Sequence, residues 1–212
     1  EYGMTICGIL EHRGIDPKLI DAVIIASVVP DIMHSLTSGI IKYLHAAPMI
    51  VTPESDTGIR VSTDNPSRTG PDRIVNAAAG YEIAKGPAIV IDFGTATTYD
   101  LIGPDGTLEA CIIAPGIETA GRSLWGGAAM LPAIQIRKPE SILARETVSA
   151  MQGGLVFVAI GQTEYIVKRM KEESGWEEAY VIATGGLGKI IAAETESIDL
   201  YDPQLTPVSY TH

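Results

Sequence analysis

Apolar residues recur at helical spacing from the first residues onward. Met4, Ile6, Ile9 and Leu10 predict a helix over residues 1–13, which Gly14 stops. Asp16-Pro17 opens a short turn or helix through Ile20. From Ala22 to Val29 the chain is almost continuously apolar and reads as a strand buried on both faces, ended by Pro30. Asp31 is read as the cap of a helix running to about His45, with Ile32, Leu36, Ile40, Ile41 and Leu44 on one stripe. Met49-Ile50-Val51 makes a short strand. Residues 52–69, rich in Pro, Asp, Ser and Thr, read as a loop of the active-site type. A helix over 71–84, with Ile74, Ala77, Ala78 and Tyr81 on its core face, leads to Gly86-Pro87, the predicted domain boundary.

Past that boundary the period changes. Three strands are predicted at about 88–93, 97–102 and 108–113, the last two joined by the turn Gly103-Pro104-Asp105-Gly106. Pro115-Gly116 opens a helix to about Met130, and 134–136 can add a strand. A long helical region covers about 145–174, with Val148, Met151, Leu155, Val158 and Ile166 inward. In it Gly153, Gly154 and Gly161 permit close helix packing or a break. Tyr180–Thr184 is a further buried strand, and Gly185-Gly186-Leu187-Gly188 leads into a helix to about Ala193. Leu205 to His212 has no periodicity and reads as an end without a helix. The alternation of helices and strands predicts an α/β protein of two halves.

Composition narrows the function classes. The 212 residues are 46% hydrophobic and 19% charged, enough for one large domain or two small ones with real cores. Net charge is −11, with a sequence pI near 4.7. Such a surface repels nucleic acid and anionic membrane, so an anionic ligand must be drawn by local groups. No apolar segment approaches the ~20 residues that span a bilayer. Cys7 and Cys111 lie far apart without metal spacing, and no signal peptide is visible, which together predict a cytoplasmic protein. The histidines, His12, His34, His45 and His212, occur singly and are read as surface or core residues. Trp125 and Trp176 are read as packing residues. The chain opens inside a helical pattern without an initiator methionine, and both ends are expected to be truncated or altered.

The chemistry concentrates in Asp92-Phe93-Gly94-Thr95-Ala96-Thr97-Thr98-Tyr99-Asp100, after the buried run Ala88-Ile89-Val90-Ile91. Glycine admits a close backbone approach to a ligand. Threonine hydroxyls and N–H groups can ring a phosphate, and the aspartate can hold a cation beside it. The competing reading is a plain hairpin whose threonines merely favour strand. A second cluster, Gly70-Pro71-Asp72-Arg73-Ile74-Val75-Asn76, opens the 71–84 helix. Proline suits the first helical position, and Asp72 sits in the first turn, beside a guanidinium that can clamp an anion. The alternative is an acidic residue stabilising its own helix by about 0.3–1 kcal/mol.

These motifs in combination, followed by A-P-G, R-E-T-V-S-A-M-Q and A-T-G-G-L-G, resemble type III pantothenate kinase over nearly the whole chain. The resemblance implies a two-domain actin-like ATPase (ribonuclease H-like) fold. Residues 1–85 would be the remainder of an N-terminally truncated first domain, and 86–212 the second. It implies ATP-dependent phosphorylation of pantothenate, the first step of coenzyme A synthesis, with Mg²⁺ and K⁺ or NH₄⁺, in a homodimer. The family's general base falls on Asp72, and its substrate-binding motif on Gly70, Pro71, Asp72 and Arg73. The monovalent-cation carboxylate falls on Asp92, and the ATP contacts on Gly94 and Thr95. A further pantothenate contact falls on Thr147, and the glycine pair near adenosine on Gly185 and Gly186.

Two departures bear on this. The family's early D-x-G-N-T-N phosphate loop has no counterpart here, and Thr63 stands where the family commonly has a tyrosine against the substrate. Both features suit a rival reading as a non-catalytic nucleotide-binding or regulatory relative. Finally, Leu124, Trp125, Met130, Met151, Leu155, Phe157 and Ile160 exceed what one side of a small sheet can cover, which predicts a subunit interface.

Overall fold

A computed structural model describes residues 1–208. By their contacts the residues divide into two units, Glu1–Thr57 with Asn65–Val75, and Gly58–Asp64 with the chain from Asn76 onward.

In the first unit, helix α1 (Tyr2–His12) is followed by a 3₁₀ turn, Pro17–Leu19, whose N-cap Asp16 accepts the Lys18 N–H. Strand β1 (Ile24–Ile25) pairs in parallel with β2 (Met49–Ile50), and helix α2 (Pro30–Leu44) connects them. The expected long strand over 22–29 shrinks to two residues. Its only strand partner among the described residues is β2, and Val28 and Val29 are 59% and 47% exposed. Nor is Asp31 the cap of α2. Pro30 takes the first turn, Val29 is the N-cap, and Asp31 sits within the turn, where the dipole favours it. Helices α1 and α2 cross closely, since a Cβ on Gly3 would lie 2.5 Å from the Gly39 carbonyl oxygen. Ile25, Ile40 and Leu44 form the core, while Ile41 of the predicted stripe is exposed. A second 3₁₀ turn, Pro66–Arg68, precedes α3 (Pro71–Ala84), which begins in this unit and continues into the next.

The second unit is built on a six-stranded mixed sheet of order β3-β6-β5-β4-β7-β8. Its strands are β3 (Arg60–Val61), β4 (Ala88–Phe93), β5 (Ala96–Ile102), β6 (Thr107–Pro115), β7 (Tyr180–Thr184) and β8 (Leu200–Tyr201). Strands β4, β5 and β6 form an antiparallel meander, and β7 pairs in parallel with β4. Alternate residues of β4 serve opposite faces. Ile89, Ile91 and Phe93 join one core with Tyr99, Leu155, Val156 and Val181. Val90 joins the other with Ile102, Leu108, Ile182 and Ala77 of α3. Gly80 lets α3 lie against β4, because a Cβ there would collide with Val90. The Gly103–Gly106 turn forms as predicted, with Gly106 at φ +74° and its N–H donating to the Gly103 carbonyl at 3.1 Å.

Helices α4 (Ile117–Gly127), α5 (Thr147–Ser174) and α6 (Gly188–Ala192) follow the predicted order, and α7 (Leu205–Val208) is an additional short helix where none was expected. Residues 209–212, including His212, lie outside the described residues. Helix α5 runs unbroken through its glycines. Its buried face is Met151, Leu155, Val156, Ala159, Thr163, Val167 and Met170, whereas Val148 and Val158, expected inward, are 37% and 64% exposed. Segment 134–136 is not a strand, although Ile134 and Ile136 pack against the core. Trp125 and Ile160 pack against that core too, and Leu155 and Met151 are buried, so these four are absorbed within the unit. No helix among the described residues is long and apolar enough to cross a membrane. The architecture is mixed α/β.

Candidate active site

Strands β4 and β7 are parallel with Asp92 opposite Thr184, so the segments that follow them, Gly94-Thr95 and Gly185-Gly186, leave the sheet at the same end. The approach is tight. Gly185 has φ +93°, and a Cβ on it would lie 2.6 Å from the Phe93 carbonyl oxygen. Tyr201 donates its hydroxyl to the Gly185 carbonyl at 2.9 Å and fixes that loop. Between the two segments lies a cleft of about 270 Å³. Its lining is Phe93, Gly94 and Thr95 from the first strand end, Gly186 and Leu187 from the second, and Glu118, Thr119 and Arg122 from α4.

The Gly94-Thr95 turn is braced from behind. The Thr95 carbonyl accepts both the Gly116 N–H at 3.1 Å and the Thr119 hydroxyl at 2.7 Å. A Cβ on Gly116 would lie 2.5 Å from that same oxygen, so only glycine fits. Gly116 thus supports the turn and is not itself part of the lining. Arg122 and Glu118 pair at 2.6 Å one helical turn apart, with side chains 71% and 59% exposed. An exposed pair of this kind contributes about 0.3–0.5 kcal/mol, so the guanidinium can change partners at little cost.

Asp92 is half-buried, one residue behind the lining at Phe93. Its Oδ2 accepts the Asn76 side-chain amide at 3.1 Å, and the Thr206 hydroxyl donates to Asn76 Oδ1 at 2.7 Å. Its Oδ1 faces the Gly94 turn, 3.6 Å from where a Gly94 Cβ would stand.

The other predicted residues are not among those lining the cleft. Gly70, Pro71, Asp72 and Arg73 belong to the first unit, at the start of α3. Asp72 Oδ1 accepts the Arg73 N–H at 2.9 Å, and a Cβ on Gly70 would collide with that carboxylate. Thr147 opens α5, is exposed, and is not among the residues lining the cleft. Beside it, Glu146 caps the helix, accepting the Val148 and Ser149 N–H groups at 3.1 and 2.7 Å. The Ser149 N–H, above all, holds the Glu146 carboxyl below the usual carboxylate range.

The structure therefore joins Gly94, Thr95 and Gly186 in one cleft, with Gly185 and Asp92 directly behind it. Glu118, Thr119 and Arg122 escaped the sequence reading, and Asn76, singled out there only as part of the Gly70–Asn76 cluster, bonds Asp92. The only sequence signal for the α4 residues was their common helix face after A-P-G.

The residues present suit a nucleoside polyphosphate with a divalent metal. Gly94 and Gly186 leave room for phosphate, Thr95 and Thr119 offer polar groups, Arg122 a cation and Asp92 one carboxylate. Among the described residues no group of three or more His, Cys, Asp or Glu is close enough to hold a metal. A nucleotide-borne Mg²⁺ needs only one or two protein carboxylates.

The fold is mixed α/β, with a cleft lined by glycine and threonine where β4 and β7 end. Residues 1–169 match the family model for type III pantothenate kinase. A type III pantothenate kinase from Agathobacter rectalis is 52% identical over 97% of this chain and 79% of its own length. One from Bacillus cytotoxicus is 48% identical over 97% and 78%. A crystal structure of a Campylobacter jejuni protein assigned to the Baf family of transcriptional activators superposes with a TM-score of 0.60. It is 19% identical and covers 97% of this chain and 85% of that one, a likeness of fold alone. The chain belongs to the type III pantothenate kinase family. It is a pantothenate kinase, a transferase of coenzyme A biosynthesis, and the family's activity requires ATP and a divalent metal. Nothing in these comparisons supports the non-catalytic alternative.

Proposed function

We propose that this protein transfers the γ-phosphoryl group of ATP to the primary hydroxyl of pantothenate, giving 4'-phosphopantothenate and ADP. The observation that carries the reading is the glycine-lined cleft where β4 and β7 end, with its threonines and Arg122. In this reading the phosphates lie along Gly94-Thr95 and Thr119, and the adenosine end lies toward Gly185-Gly186. The substrate hydroxyl oxygen attacks the γ-phosphorus, the bond to the ADP oxygen breaks, and the hydroxyl proton passes to Asp72 Oδ2, since Oδ1 already accepts the Arg73 N–H. Gly70, Pro71 and Arg73 position pantothenate, with Thr147 as a further contact. Mg²⁺ bound with the nucleotide would supply charge neutralisation to the phosphates, and Asp92 would hold a monovalent K⁺ or NH₄⁺.

The same reading assigns residues 1–85 and 86–212 to the two halves of an actin-like ATPase fold, and places the protein in the cytoplasm. It also makes the enzyme a homodimer. The support for a dimer is an apolar groove of about 640 Å³ lined by Ile142, Leu143, Gly153, Gly154, Phe157 and Val158, with Ile142 and Leu143 71% and 79% exposed.

The test of the chemistry is Asp72→Asn in the full-length protein, assayed with pantothenate, ATP, Mg²⁺ and K⁺. Turnover should fall by ~10²–10⁴, with ATP binding retained. A variant as fast as the wild type would remove Asp72 from the mechanism.

A further inference from the structure

Helix α4 brings two opposite charges to the cleft where β4 and β7 end. Among the described residues lining that cleft, Arg122 is the one cationic side chain and Glu118 the one carboxylate. Thr119, beside Glu118, donates its hydroxyl to the Thr95 carbonyl at 2.7 Å, so its proton is committed to bracing the turn. Glu118 lies in the first turn of α4, where the helix dipole favours its ionised form. Arg122 follows one turn later, the order in which an acidic and a basic side chain attract best along a helix, and its Nη2 donates to Glu118 Oε1 at 2.6 Å. The lining side chains are thus neutral as a set, on a chain whose net charge is −11.

A polyphosphate entering this cleft meets a carboxylate that repels it and a guanidinium that is already engaged. The engagement is weak, because both side chains are more than half exposed and water screens a pair one helical turn apart. A guanidinium carries five N–H donors in a planar fork, and a phosphate group accepts two of them side by side in a shorter, stronger contact. We propose that Arg122 is a phosphate-binding residue of this cleft and that Glu118 is its built-in competitor, so that nucleotide binds by taking the guanidinium from Glu118. The proposal deepens the reading of the cleft as the ATP site and rests on it. Its consequence is opposite in sign to the ordinary loss of a lining residue: removing the Glu118 charge strengthens nucleotide binding.

The experiment uses the full-length protein as wild type, Arg122→Gln, Glu118→Gln, the double variant and Gly186→Val. Each is titrated calorimetrically with a non-hydrolysable ATP analogue and Mg²⁺, at low and at high salt. Gly186 lines the same cleft and a Cβ there meets no atom within 4 Å, so valine occupies ligand space without a clash. Arg122→Gln should raise Kd roughly 10-fold, the effect of losing a hydrogen bond from a charged group, and should flatten the salt dependence. Glu118→Gln should lower Kd about 2–5-fold, a gain that damage to the fold cannot produce. In the double variant the Glu118 substitution should gain less than it does alone, because no guanidinium is left to release. An equal gain from Glu118→Gln in both backgrounds would mean repulsion without exchange, and would overturn the competitor role. Wild-type affinity in Arg122→Gln, beside weakened binding in Gly186→Val, would overturn the whole inference and leave the ATP site standing. Unchanged affinity in both would put the nucleotide outside this cleft and remove the reading on which the inference rests.

Discussion

Single atoms decide the shape of the phosphate turn. The Thr95 carbonyl accepts two hydrogen bonds from the start of α4, and the backbone of Gly116 approaches so closely that a methyl group has no room. Gly116→Ala must push the Gly94-Thr95 turn toward the cleft. Misplacement of a binding group by about 1 Å can cost ~10²-fold, so kcat/KM for ATP should drop by roughly 10–100-fold. Gly126→Ala, in the same helix but facing open space, should leave it unchanged. Steady-state kinetics on the two variants checks the pair, and equal effects would show that the turn does not depend on Gly116.

At the scale of elements, the sheet and α5 are joined by a small buried polar network. Tyr99 of β5 shares a hydrogen bond of 3.0 Å with Thr163, whose side chain is fully buried, and accepts the Gln162 amide at 3.1 Å. Tyr99→Phe keeps the ring in the core but strands both partners. The Thr163 hydroxyl can fall back on a carbonyl one turn earlier in its helix, which limits the loss. The expected cost is about 1–2 kcal/mol, read as a lower urea midpoint at unchanged slope. A midpoint equal to the wild type would mean that the network adds nothing to stability.

For the whole molecule, the unexplained surface is the stretch before α5 and the face beside it. The acidic net charge of −11 keeps copies apart in general, so an apolar face has to overcome that repulsion to associate. Light scattering on the full-length protein should give twice the chain mass, and Leu143→Glu with Val158→Glu should halve it. The chain here weighs 22.5 kDa. A wild-type mass that stays at that of one full-length chain as concentration rises would rule out the dimer.

The β4-β5-β6 meander was legible because its information is local: an apolar run, a Gly-Pro start and a Gly-Pro-Asp-Gly turn. Helix α3 was legible to its end residues for the same reason, through Pro71 and the period of Ile74 and Ala77. Asp72, Asp92 and the glycine pair stood out because glycines and carboxylates at strand and helix ends are chemically conspicuous. The two-residue strands β3 and β8 carried no such signal, since each is a strand only through its neighbour, Thr107-Leu108 for one and Ile182-Ala183 for the other. The inward face of α5 was misread at Val148 and Val158. Over 28 residues a helix with small residues on several sides has no single apolar stripe, and the sheet beneath chooses the face. What only the tertiary structure decided is partnership at long range. Thr119 reaches Thr95 across 24 residues, and Thr206 reaches Asn76 across 130. Periodicity encodes which way a side chain points relative to its own element, but it carries no information about which distant element comes to meet it. The chemical groups of this site were therefore written in the chain, and their alignment arose only when the strands, helices and the α7 turn were folded together.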